Sequence, residues 1–149
     1  MATTVSNGTL TVTVTEKLVL NGKDHGSTKK ITATGINEIS KRILTCATTG
    51  TQVYSGASAA AYGTFVTADV RYVRITNLDD TNFIVLHLEG ASHYAQIAVP
   101  AGAIFLLTDV SAVFDSADAV ASFSANDITR IDVMANTAAC DIEIMVASA

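Results

Sequence analysis

Alternation of apolar and polar residues with a period of two recurs along the chain. Leu10, Val12 and Val14 alternate with Thr9, Thr11, Thr13 and Thr15, which predicts a strand with one buried face. Glu16 would continue that face towards Leu18 and Leu20, so a bulge or bend near Thr15–Lys17 is expected to turn its carboxylate outward. Asn21-Gly22 and His25-Gly26-Ser27 mark turns. Ile36, Ile39, Ile43 and Leu44 supply core positions for one long or kinked strand between Ile31 and Cys46. Val53 and Tyr54 fall in a short strand. Ser55–Gly63, where three alanines lie between glycines and serines, reads as a flexible loop.

The centre of the chain alternates more regularly. Val70–Thr76 and Phe83–Leu88 are predicted strands joined by a turn at Asn77-Leu78-Asp79-Asp80-Thr81-Asn82. Glu89-Gly90-Ala91-Ser92 turns the chain again into Tyr94–Val99, and Pro100-Ala101-Gly102 leads into Ala103–Thr108. A looser stretch from Asp109 to Asp118 precedes strands at Val120–Phe123, Ile128–Ala135 and Cys140–Val146, the last two joined at Asn136-Thr137-Ala138. Turn signals about every 8–12 residues mark a sandwich or barrel. No segment carries a helical apolar stripe, and no internal repeat is visible. The expected architecture is all-β: one antiparallel β-sandwich domain over residues 1–149, jelly-roll-like, with about ten short strands. Residues 1–15 read as an N-terminal strand or extended arm.

Composition sharpens this picture. The 149 residues are 49% apolar but only 15% charged, with 9 Lys+Arg against 14 Asp+Glu and a net charge of −5. Charged residues usually make up roughly 25%. An acidic chain with no basic patch is a poor partner for nucleic acid or an anionic membrane. The start, MATTVSNGTLTV, has neither a basic nor a long apolar segment of the secretory kind, and nothing approaches the roughly 18 apolar residues of a membrane span. The sequence therefore predicts a soluble product made in a cytoplasm. Cys140 shares a strand face with Ile142, Ile144 and Val146, so a buried free thiol is expected; a Cys46–Cys140 bridge is the alternative.

Candidate chemistry is sparse, and no catalytic residue and no cofactor is assigned. His87 and Glu89 lie two apart on a strand, sharing a face with Phe83 and Val85, and His93 follows across a turn. Two imidazoles and a carboxylate form a legitimate divalent-metal set, and a jelly roll holds such a set in cupins. The match fails in detail, because a cupin-type His-x-His pair is here His87-Leu88-Glu89 and no later histidine follows His93. Two ordinary histidines near a hairpin end are the competing explanation. Asp79-Asp80-Thr81-Asn82 clusters oxygens, yet these are also the residues that tight turns select. Arg71, Tyr72 and Arg74 read as a solvated strand pair. No nucleophile elbow or phosphate cradle is present. As a glycan- or receptor-binding module, the protein would use Tyr54, Tyr62 or Tyr94 as stacking platforms.

Outward strand positions are filled by Thr, Ser, Ala and Asn, and such weakly charged sheets invite edge-to-edge association unless neighbours cover them. Val5, Leu10, Val12 and Val14 are accordingly candidate intersubunit contacts: the Thr-rich start adds a strand to a neighbour's sheet, or pairs within its own. The run Arg71-Tyr72-Val73-Arg74-Ile75-Thr76-Asn77-Leu78-Asp79-Asp80-Thr81-Asn82-Phe83 is followed by Val99-Pro100-Ala101-Gly102-Ala103-Ile104-Phe105-Leu106-Leu107. Together with Ile128–Ile131 and Asn136–Glu143, this pattern over residues 70–147 resembles small all-β virion structural proteins of tailed bacteriophages. The resemblance implies a non-enzymatic virion protein, a capsid decoration (cement) protein in the first place, or else a neck, tail-ring or tail-fibre component. Its implied partners are the major capsid protein or other virion proteins and further copies of itself, its implied location is the virion, and it carries over no functional residue.

Overall fold

The computed structural model describes residues 5–116 and 123–149. Thirteen strands occur among them, with one short 3-10 turn at Thr67–Asp69. In chain order they are β1 (Gly8–Thr15), β2 (Val19–Leu20), β3 (Lys23–Asp24), β4 (Thr28–Ile36), β5 (Glu38–Cys46), β6 (Thr51–Ala57) and β7 (Phe65–Val66). There follow β8 (Val70–Asn77), β9 (Ile84–Glu89), β10 (Tyr94–Val99), β11 (Ile104–Leu107), β12 (Arg130–Ala135) and β13 (Cys140–Ser148). The chain is all-β, as its β-branched composition requires. Among the described residues no helix is long and apolar enough to cross a membrane.

Two larger sheets carry the core. One has the order β10-β9-β12-β6-β7 and the other β11-β8-β13-β5. Their main pairings are nested and antiparallel: β5 with β13, β6 with β12, β8 with β11, β9 with β10. Alternate residues of both sheets enter one hydrophobic cluster, with Ile84, Leu86, Leu88, Ile131 and Val133 from the first and Val73, Ile75, Ile142, Ile144 and Val146 from the second. Full burial of each such side chain stabilises by about 1.5–3 kcal/mol before entropy is counted. Among the described strands only β7 is parallel to its neighbour, pairing with the end of β6.

The remaining strands build a hairpin that spans residues 8–36. β1 and β4 pair from Gly8↔Ile36 to Thr15↔Thr28. Beyond them β2 and β3 continue the ribbon to Asn21-Gly22. Asn21 and Gly22 have φ of 51° and 75°, the two left-handed positions of a type I′ turn. Regular strand stops at Thr15 and resumes at Val19, although Glu16 and Ser27 still exchange backbone hydrogen bonds, N to O, of 2.8 and 3.1 Å, and Glu16 is exposed there. Among the described residues, the apolar packing of the hairpin on the body lies in the half of the ribbon nearer its base. Leu10, Val12 and Ala33 pack with Ile36, Tyr72, Leu106, Met145 and Ala147, on the face of the four-stranded sheet that points away from the main core.

Several expectations are corrected. The segment 31–46 is two strands in different sheets, β4 ending at Ile36 and β5 starting at Glu38, with the crossing at Asn37. Just before it Gly35, with φ of 78°, is the extra residue where the register shifts from Thr9↔Thr34 to Gly8↔Ile36, a conformation that glycine tolerates. Ser55–Ala57 belong to β6 and are not loop. Tyr72 is not part of a solvated pair but lies buried under the hairpin base. The strand expected at Val120–Phe123 falls mostly outside the described residues. The buried free thiol expected at Cys140 is found, and Cys46 is a second one, at the same register position of β5 and β13.

Candidate functional site

The outward face of the five-stranded sheet gathers the most varied side chains. Strand alternation points Val85, His87 and Glu89 away from the core, and the antiparallel register sets them into rows across the sheet. Tyr94, Glu89 and Arg130 form one row; Gln96, His87, Asp132 and Gln52 form the next; Ala98, Val85 and Met134 form the third. With Thr49 and Gly50 the middle of this face forms a cleft of about 280 Å³.

Its charges are already paired with each other. Arg130 grips Asp132 through Nε and a second guanidinium nitrogen, at 3.1 and 2.9 Å, and lies 3.8 Å from Glu89. The Asp132 hydrogen bond and its charge push the guanidinium pKa further up. The His87 ring stacks on Tyr94 at 5.6 Å between centroids, and its buried Nδ1 makes no hydrogen bond among the described residues. Chemically the cleft offers a stacking surface flanked by amide, carboxylate and guanidinium groups.

The three metal candidates do not converge. His87 faces Tyr94 and Glu89 faces Arg130. The turn closed by Gly90 N–H donating to the His93 carbonyl (2.9 Å) carries the His93 ring away, towards residues 114–116. There Nδ1 lies 2.7 Å from Ser116 Oγ and 3.2 Å from Asp115 Oδ1. Hydroxyl and carboxylate meet the same ring nitrogen, so this His, Ser and Asp do not form a nucleophile relay, which needs one partner on each nitrogen. Among the described residues no group of three His, Cys, Asp or Glu side chains is arranged to hold a metal ion.

The three tyrosines also separate. Tyr54 is in the core, stacked on Phe65 at 6.0 Å, with its phenol pushed up to about 12 by burial, which corrects its reading as a platform. Tyr62 is fully exposed and Tyr94 more than half exposed. The Asp79 carboxylate turns inward on its own loop, accepting from Asn82 N (2.6 Å) and Thr81 N (2.9 Å), and these bonds lower its pKa.

Of the candidate intersubunit residues, Leu10 and Val12 are half-buried on the body of their own chain, whereas Val5 and Val14 are exposed. β1 takes β4 as its ladder partner. Beyond Val14 the exposed apolar series continues to the hairpin tip, where Leu18, Val19 and Leu20 are 55%, 59% and 57% exposed. Sequence reasoning assigned Leu18 and Leu20 to a buried face and missed this tip. The available signal was the Asn-Gly turn directly after the apolar run. Also missed was Asn77, fully buried, whose Nδ2 donates to the carbonyls of Asn82 (2.8 Å), Pro100 (3.1 Å) and Val99 (3.3 Å).

No family model, curated protein or solved structure matches this chain.

Proposed function

We propose that the protein is a non-enzymatic virion structural protein of a tailed phage, a capsid decoration protein that works through symmetric protein–protein contacts, with a neck or tail-ring position as the alternative. The observation that carries this reading is the hairpin of residues 8–36, whose apolar packing on the body lies towards its base while its apolar tip stands exposed. An isolated two-stranded ribbon is marginally stable at best, and exposed apolar surface of this kind is characteristic of a protein interface.

The jelly-roll assignment belongs to the same reading. Successive strands β5, β6, β8, β9, β10, β11, β12 and β13 fall in nested pairs distributed over two sheets. Rolling one long antiparallel hairpin into a sandwich produces that order, an architecture common to viral capsid and lectin domains. Fold alone does not assign function, so the sequence resemblance over residues 70–147 and the weakly charged exterior are the independent supports.

The test is mass spectrometry of gradient-purified particles from the phage that encodes the chain. Stoichiometric recovery with the capsid shell, in simple ratio to the major capsid protein, is expected; its absence from particles overturns the proposal. Glycan or receptor binding is the second reading, favoured by Tyr94 and His87 beside Gln96, Asp132 and Arg130 in the sheet-face cleft. A glycan array answered by the protein, and silenced by Tyr94→Ala, would move the conclusion to that reading.

A further inference from the structure

We infer that the hairpin tip, Leu18-Val19-Leu20 flanked by Lys17 and Lys23, docks into an apolar groove at the hairpin base of a second copy of this chain. The inference deepens the assembly reading above and rests on it.

The groove, about 400 Å³, is lined chiefly by Val5, Leu10, Ile36 and Ile39. Val5 and Ile39 are 66% and 62% exposed, so both knob and socket have apolar surface to remove from water, the dominant favourable term in most associations. The two cannot meet within one chain. The groove sits where β1 begins and β4 ends, and the tip lies at the other end of the ribbon. At about 3.3 Å per residue, the run from Leu10 to Leu20 separates them by roughly 30 Å.

Charge distribution selects the partner. Residues 8–36 hold four of the five lysines, Lys17, Lys23, Lys29 and Lys30, against two carboxylates, Glu16 and Asp24. The rest of the sequence holds five cations against twelve carboxylates. A basic ribbon on an acidic body is attracted to another such body, and opposite charges across an interface set its orientation. Glu38 precedes Ile39 at the groove. Asn37 N–H donating to Ser148 O (3.0 Å) and Ala149 N–H donating to Asp69 O (2.8 Å) bring Asp69 to the same end of the body. Lys17 and Lys23 on an incoming tip therefore meet carboxylates around the socket. Every copy gives one tip and receives one, so the contact is heterologous and closes into a ring when the rotation between copies permits.

Sedimentation velocity from micromolar to millimolar protein tests this. The wild type is expected to self-associate, less so in molar salt, where the Debye length shrinks to about 3 Å. The tip variant Val19→Glu/Leu20→Glu and the groove variant Ile39→Glu should each weaken association by at least about tenfold, or 1.4 kcal/mol. All three positions are exposed, so unchanged circular dichroism is expected, and Ile43→Glu, equally exposed on β5 but outside the groove, should assemble as wild type. Mixed together, the tip and groove variants should form one-to-one heterodimers, since one intact tip and one intact groove remain. A wild type that stays monomeric at millimolar concentration, or a tip variant that assembles normally, overturns the inference. Should such a monomer still be incorporated into particles, the virion reading stands and only tip docking fails; a protein that assembles by its tip but is absent from particles has the opposite result.

Discussion

Cys46 and Cys140 stand opposite each other on β5 and β13, both fully buried, both free thiols. Burial, the neighbouring Cys140 and Asp141 push the Cys46 thiol up to about 11, and burial raises Cys140 too. Since the thiolate is the reactive form, neither side chain should react with an aromatic disulfide reagent in native protein at mildly alkaline pH. Two thiols per chain should appear on denaturation. Rapid labelling of the native protein would contradict the burial described.

The same shifts give a pH dependence whose sign is fixed by linkage. Cys46 and Tyr54 have folded pKa values of about 11 and about 12, above their ordinary 9.0 and 10.0. Their contribution is intact below pH 9, because the unfolded chain there binds no fewer protons. It is lost as pH rises, when the unfolded state releases protons that the folded state still holds. Denaturation midpoints should be flat between neutrality and pH 9 and fall steeply towards pH 12, with Cys46→Ala showing a shallower fall. A midpoint constant to pH 12 would count against both shifts.

Asn77 ties the loop carbonyls of Asn82 and Pro100 and the β10 carbonyl of Val99 together at one end of the body with its Nδ2, and its Oδ1 accepts from Asp79 N at 3.1 Å. Asn77→Ala leaves buried carbonyls without a donor and is expected to cost about 2–4 kcal/mol in urea unfolding. Asn77→Asp should be worse at neutral pH, since a carboxylate oxygen then faces carbonyl oxygens, and should recover in part on acidification. Equal stability of wild type and both variants would remove Asn77 from this role.

Gly90 sits where two segments cross. A Cβ there would lie 2.6 Å from the Asp127 backbone oxygen and 3.0 Å from the Phe114 ring. Backbone cannot retreat as a flexible side chain does, so Gly90→Ala should destabilise by about 1–3 kcal/mol. Gly8→Ala, whose new methyl would meet only Ile36 O at an ordinary 3.5 Å, serves as the near-neutral control in thermal unfolding.

The all-β class and the central strands were legible in the sequence. Period-two alternation is a local property, and residues such as Ile84, Leu86 and Leu88 report it directly. Asn21-Gly22 likewise specified its turn by local backbone preference, wherever the flanking strands went. Three things were decided only by tertiary structure. The apolar run from Ile31 to Cys46 is divided between two sheets at Asn37, just after a bulge at which Gly35 takes a left-handed φ, and neither leaves a trace in hydrophobic periodicity. His93 leaves His87 and Glu89 for Ser116 and Asp115, because a turn sets the direction of the next strand while spacing counts residues only. Leu18 to Leu20 face solvent although their pattern matches that of Leu10 and Val12. Alternation records which face is apolar; what covers that face depends on where the ribbon ends relative to the body, and that is set by packing over distances no sequence window spans.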